Sequence, residues 1–162
     1  MIKHVWSVLC RRSVIDSETN NLSLYDVFEQ LTVDLKFKEQ DKDKLTKVTV
    51  PLEYEFVSLW YKQANSKFEG QFKVDVWTPK GEIEKTFEQV FEMAPTMKRM
   101  RTRLRINGFV AEDSGIYLFK ISYKEKNNNK YTEITDIPFE VNIKKEPLSA
   151  EELSKIQTSS NK

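Results

Sequence analysis

One histidine, one cysteine, four glycines and five prolines stand in a chain of 162 residues, and each scarcity removes a class of chemistry. With His4 alone, no histidine-pair metal site, HExxH motif or two-histidine relay can be assembled. Cys10 has no partner within the chain, so no internal disulfide forms and a reducing, cytoplasmic setting is expected. The glycines are too few for a phosphate-cradling loop or a collagen-like repeat. No apolar run approaches the roughly 18 residues that cross a bilayer, so no membrane contact is expected. The opening run from Met1 ends in Arg11-Arg12 without a small-residue cleavage site and reads as a strand. Charge of one sign is missing too. Twenty-six Lys and Arg against 25 Asp and Glu leave +1, which speaks against a nucleic-acid binder relying on net field.

What is abundant is alternation. Val48, Val50, Leu52, Tyr54, Phe56 and Trp60 fall on every second position, the period of a half-buried strand. Phe72, Val74 and Val76 repeat it, Pro79-Lys80-Gly81 supplies a turn, and Ile83, Phe87 and Phe91 return as a hairpin. Met100, Leu104 and Ile106 mark another strand, ahead of Asn107-Gly108. Tyr117, Phe119, Ile121 and Tyr123 mark the next. Asn127-Asn128-Asn129 closes it onto a last strand whose odd residues, Tyr131 to Ile143, face inward. Pro138 cannot donate to a ladder, which predicts an edge position or a bulge there.

Near the start, Val5–Arg11 is a strand, and polar Asp16–Asn21 turns the chain onto Leu22 and Leu24. The apolar phase is even at Leu22, Leu24 and Phe28 but odd at Leu31, Val33, Leu35 and Phe37, so a bulge is expected near Phe28–Gln30. The run from Lys38 to Lys44 reads as a solvated loop. At the C-terminus, Ser149 and Glu152 have capping-box spacing with Leu148 and Leu153 as the staple, predicting a short helix; the tail beyond Gln157 reads as disordered. Seven to eight strands with almost no helix predict an all-β antiparallel β-sandwich with a short C-terminal helix, a closed barrel being the alternative. The expected division is 1–146 for the sandwich and 147–162 for helix and tail.

Asp113-Ser114-Gly115-Ile116-Tyr117 resembles the D-x-G-x-Y corner of immunoglobulin-like domains, in which the tyrosine hydroxyl bonds back to the main chain. The resemblance implies an immunoglobulin-like sandwich with Asp113, Gly115 and Tyr117 as a structural corner. Phe119 stands where such domains place a cysteine, implying aromatic packing instead of a disulfide. Cys10, Asp16, Leu22-Ser23-Leu24, Phe28, Pro79-x-Gly81 and Gly115-x-Tyr117 also resemble a family of small bacterial proteins of no assigned function, and that likeness transfers no site.

Residues that could carry chemistry are few. His4 and Cys10 lie about 20 Å apart along an extended strand, too far for a nucleophile–base pair. Cys10 reads as a small core residue. Glu82, Glu84, Glu88 and Glu92 alternate with apolar residues and so face water rather than forming a tuned acid–base pair. Asp41 and Asp43 lack the glycine and terminal glutamate of a calcium loop.

Arg99, Arg101, Arg103 and Arg105 project from one strand face about 6 to 7 Å apart, a candidate interaction stripe for an acidic partner or phosphates. The opposing reading pairs them with acids on adjacent strands such as Glu84, Glu88 or Glu53. Trp60, Tyr61 and Trp77 form a candidate aromatic platform, against which core packing is weighed. These features predict no enzyme, no cofactor and no metal. They predict a protein-interaction or structural module that binds another protein, or its own copy, through a sheet face or edge. A module for an anionic polymer or glycan is the alternative.

Overall fold

The computed structural model describes residues 2–39, 47–149 and 152. They form nine strands: β1 (Ile2–Ile15), β2 (Leu22–Val27), β3 (Gln30–Phe37), β4 (Val48–Lys62), β5 (Phe68–Trp77), β6 (Ile83–Met93), β7 (Arg99–Ala111), β8 (Gly115–Glu125) and β9 (Thr132–Pro147). A four-stranded sheet in the order β2-β1-β4-β7 packs on a five-stranded sheet in the order β3-β9-β8-β5-β6. Alternation dictates which side of each strand is dry. Tyr54, Phe56 and Trp60 of β4 join Phe72, Val74 and Val76 of β5, Phe119 and Ile121 of β8, and Phe139 and Val141 of β9 in one core.

Rings fill most of that space. Phe56 stacks on Phe119 across the two sheets, with centroids 6.1 Å apart and planes 16° apart. Phe139 meets Phe28, Phe109 and Phe119 edge-on at 5.7, 5.3 and 5.9 Å. Such pairs contribute about 0.5–1.5 kcal/mol each beyond their burial. Trp60 is fully buried, and its indole N–H donates to Thr102 Oγ1 at 2.9 Å. The corner forms as the resemblance implied: the Tyr117 hydroxyl accepts from the amides of Glu112 (3.0 Å) and Asp113 (3.4 Å) and donates to the Asp113 carbonyl (3.3 Å).

Several expectations are corrected. The phase change after Leu24 is not a bulge within one strand. β2 ends in the four-stranded sheet, Asp26 takes a positive φ of 50°, and the chain crosses to begin β3 in the other sheet. A chain that changes sheets also changes which side is inward, which is what the shift in phase records. The crossing raises the strand count to nine. It also makes β3 run parallel to β9, so the sandwich is not wholly antiparallel.

Asn107-Gly108 lies inside a strand. β7 continues to Ala111, and Gly108, at φ 79°, lies in the stretch where the register against β4 shifts between Val50 and Glu53. β9 is an interior strand rather than an edge; Pro138 is tolerated because the β3 ladder begins only at Glu140, leaving Pro138 one neighbour, β8. The register shift between Ile121 and Ser122 alters the phase of early β9, so Ile134 packs on the core. Of the C-terminal helix, only the cap is described: the amide and hydroxyl of Ser149 donate to the Glu152 carboxylate at 3.0 Å, and the Glu152 amide returns to Ser149 Oγ at 3.4 Å. The helix and tail themselves, like most of the 38–44 run, lie outside the described residues.

At one end of the sandwich Lys62 is almost fully buried, and no carboxylate bonds it among the described residues. Its ammonium donates to the carbonyls of Ser66, Ala94 (2.7 Å) and Met93 (3.5 Å), drawing the β4–β5 and β6–β7 loops together.

Candidate interaction surfaces

The arginine stripe exists as a row on β7, an edge of the four-stranded sheet. It is largely occupied by the chain itself. Beyond Cys10, β1 pairs with β2 and no longer with β4, and this hairpin folds across the outer face of its own sheet. At the hairpin tip, Asn20 receives Arg101 through both its side-chain oxygen and its carbonyl, each at 3.0 Å. Arg103 donates to the Ser13 carbonyl at 3.5 Å, and Arg105 Nε to Glu55 at 3.1 Å. For Arg99 no partner is found among the described residues. The stripe's acidic neighbour is therefore Glu55, not Glu84, Glu88 or Glu53.

Glu55 is the centre of this face. Its carboxylate accepts from the Ser13 amide at 2.9 Å, the Ser13 hydroxyl and Arg105. Burial opposes its ionisation, but the Ser13 and Arg105 donors and the nearby Arg103 charge prevail and hold it below its ordinary value. Cys10 and Val57 point outward with Glu55, yet both are fully buried, as expected of a face under cover. Cys10 is thus buried outside the main core cluster, and burial first, with the Glu55 charge second, pushes its thiol upward.

Trp60, Tyr61 and Trp77 do not come together. Trp60 belongs to the core, Tyr61 alternates to the outer side of β4, and Trp77 lies on the other sheet. The aromatic surface that does form is on the outer face of the five-stranded sheet and includes a ring sequence reasoning missed. Tyr131 carries Lys124 over its ring at 4.6 Å and Lys73 at 5.1 Å, while Lys120 lies over Trp77 at 4.7 Å. Tyr131 donates to Glu88 at 3.0 Å, and burial first, then that carboxylate, pushes it up to about 12. The signal was hidden because Tyr131 shares odd parity with the inward residues of β9, and the register shift reverses it.

Beside these rings opens a cleft of about 440 Å³ whose walls include Gln71, Val90, Lys124, Asn128 and Asn129. Glu69, gripped by Lys126 and Lys67, forms another wall and is drawn down to about 2. His4 lies on the four-stranded sheet, its Nε2 2.7 Å from Ser7 Oγ, which is 2.6 Å from the buried Ser58 Oγ. Burial holds its imidazole below the usual value.

The immunoglobulin V-set domain family matches residues 39–141. The chain belongs to that family. In V-set terms, β6 beside β5 on the larger sheet corresponds to the first of the two strands that variable-type domains add to the constant-type sheet. Phe119, two residues after the corner Tyr117, occupies the usual cysteine position, and Phe56 faces it where the bridge would cross. The β1–β2 hairpin and β3 precede the V-set match. Among solved structures, the C-terminal domain of wzt has the same type of fold, with a TM-score of 0.51 at 12% identity over 86% of this chain and 72% of that one. No curated protein matches the sequence.

Proposed function

We propose that this V-set domain is a non-enzymatic interaction module that binds another protein through the outer face of its five-stranded sheet. The observation that carries the reading is an asymmetry: the four-stranded sheet is covered by its own hairpin and has three of its four stripe arginines engaged, whereas the five-stranded sheet presents Trp77 and Tyr131 under Lys73, Lys120 and Lys124. Tryptophan and tyrosine rings beside cations give a partner both apolar contact and charge complementarity. The test places a photo-crosslinking residue at Lys120 in one variant and at Arg103 in another and maps adducts by mass spectrometry. Adducts at position 120 that vanish in Tyr131→Ala support the proposal; adducts confined to position 103 overturn it.

A second reading, a glycan ligand, is favoured by the cleft, where the amides of Gln71, Asn128 and Asn129 stand beside charged donors and acceptors. Titrating tryptophan fluorescence with oligosaccharides at millimolar concentration tests it, and a flat trace rejects it.

A further inference from the structure

Four strands stand at sheet edges: β2 and β7 in one sheet, β3 and β6 in the other. An edge strand can pair with a second copy of itself if its residues match their own reversed order. Three of the edges do not. On β7 every antiparallel self-pairing centred within Arg99–Arg105 sets arginine against arginine. The outer face of β6 carries Glu84, Glu88 and Glu92 with no basic residue between them. β2 is six residues long and kinked at Asp26.

β3 differs. Its inward residues are Leu31, Val33, Leu35 and Phe37, and its outward ones are Gln30, Thr32, Asp34 and Lys36, all four exposed. The Glu29 and Phe37 carbonyls accept from Glu140 and Leu148 on the β9 side. Odd residues therefore direct their main-chain groups at β9, and Thr32, Asp34 and Lys36 direct theirs at the open edge. Centring a two-fold axis on Leu35 makes Asp34 of one copy oppose Lys36 of the other, twice by symmetry, in pairs that exchange both main-chain hydrogen bonds. Val33 then faces Phe37 and Leu35 faces Leu35, continuing the apolar layer at a side chain that is only half-buried in the single chain. Moving the axis by one residue puts Asp34 on Asp34 or Lys36 on Lys36, so charge selects one register.

We infer that β3 is a self-recognition edge through which two copies of this chain join their five-stranded sheets into one continuous ten-stranded sheet. Lys36 also bonds Glu152 within its own chain, and in the dimer its ammonium would be shared between that carboxylate and the opposing Asp34. The inference goes beyond the face-binding function and stands without it, because β3 is an edge and the proposed partner face is elsewhere on the sheet.

Sedimentation equilibrium of the full chain tests it. The wild-type chain is expected to form a dimer that Asp34→Lys and Lys36→Asp each abolish, while the double exchange, which restores opposite charges across the axis, recovers it. In parallel, Leu35→Cys is expected to give a disulfide-linked dimer on a non-reducing gel, since opposed residues of this pair type bring Cβ atoms about 4.5–5.5 Å apart. Cys10, fully buried, offers no competing thiol. A monomer at all concentrations, or a dimer unaffected by either single charge reversal, overturns the inference. So does failure of the double exchange to recover the dimer when circular dichroism shows the variant folded.

Discussion

Phe56 and Phe119 lie face to face across the two sheets, 6.1 Å between ring centres, in the place where many immunoglobulin domains join the same strands covalently. Both rings are fully buried. Dispersion and water exclusion replace a bond that a chain with one cysteine cannot make. Phe56→Ala or Phe119→Ala should each lower unfolding free energy by about 3–5 kcal/mol in urea titrations, and the double variant by less than the sum. Additive losses would show that the stack contributes no coupling.

Tyr117→Phe removes one hydroxyl and leaves the ring. The Glu112 and Asp113 amides then lose their acceptor and the Asp113 carbonyl its donor. A loss of about 1–3 kcal/mol is expected, with hydrogen exchange accelerating at residues 112–114 before it does in β4.

The hairpin over the four-stranded sheet should loosen without global unfolding when Arg101→Ala frees Asn20. Exchange over β2 and the 16–21 turn should rise, while overall stability changes by about 1 kcal/mol or less. Arg99→Ala should change neither.

Glu55 links stability to acid. Its carboxyl sits below the ordinary 4.5 when folded, so its contribution is fully present above 4.5 and disappears as pH falls through the lower folded value. Glu55→Gln should reduce stability at neutral pH by about 1–3 kcal/mol and flatten the curve below pH 4.5. Parallel wild-type and variant acid titrations would count against this role.

Much of this was legible in the residues. Two-residue periodicity located β4, β5 and β8 and chose their dry sides, because burial of one pleat face acts directly on side-chain identity. The D-x-G-x-Y corner and the Pro79–Gly81 turn are local chemistry and were read as such; Gly81 N–H donates to the Thr78 carbonyl at 3.0 Å. What escaped depends on residues far apart in sequence. The shift at Phe28 has the same signature for a bulge as for a change of sheet. Pro138 signals a missing ladder bond but not that β3 starts two residues later. Four alternating arginines state a charged face, yet the groups that receive three of them are two main-chain carbonyls, one asparagine and Glu55, of which only the glutamate carries a charge that composition could match. Tyr131 was assigned to the wrong side because one extra residue in a ladder is invisible to parity.

Lys62 shows how one end of the domain is fastened. Its ammonium meets three carbonyls, Ser66 of the β4–β5 loop, Ala94 of the β6–β7 loop and Met93 at the end of β6, so the positive charge is solvated by peptide dipoles. Those loops consequently behave as a single knot, and lengthening either one would pull a carbonyl away and strand a cation in a dry place. Sequence variation at that pole is therefore constrained by the solvation of one amine.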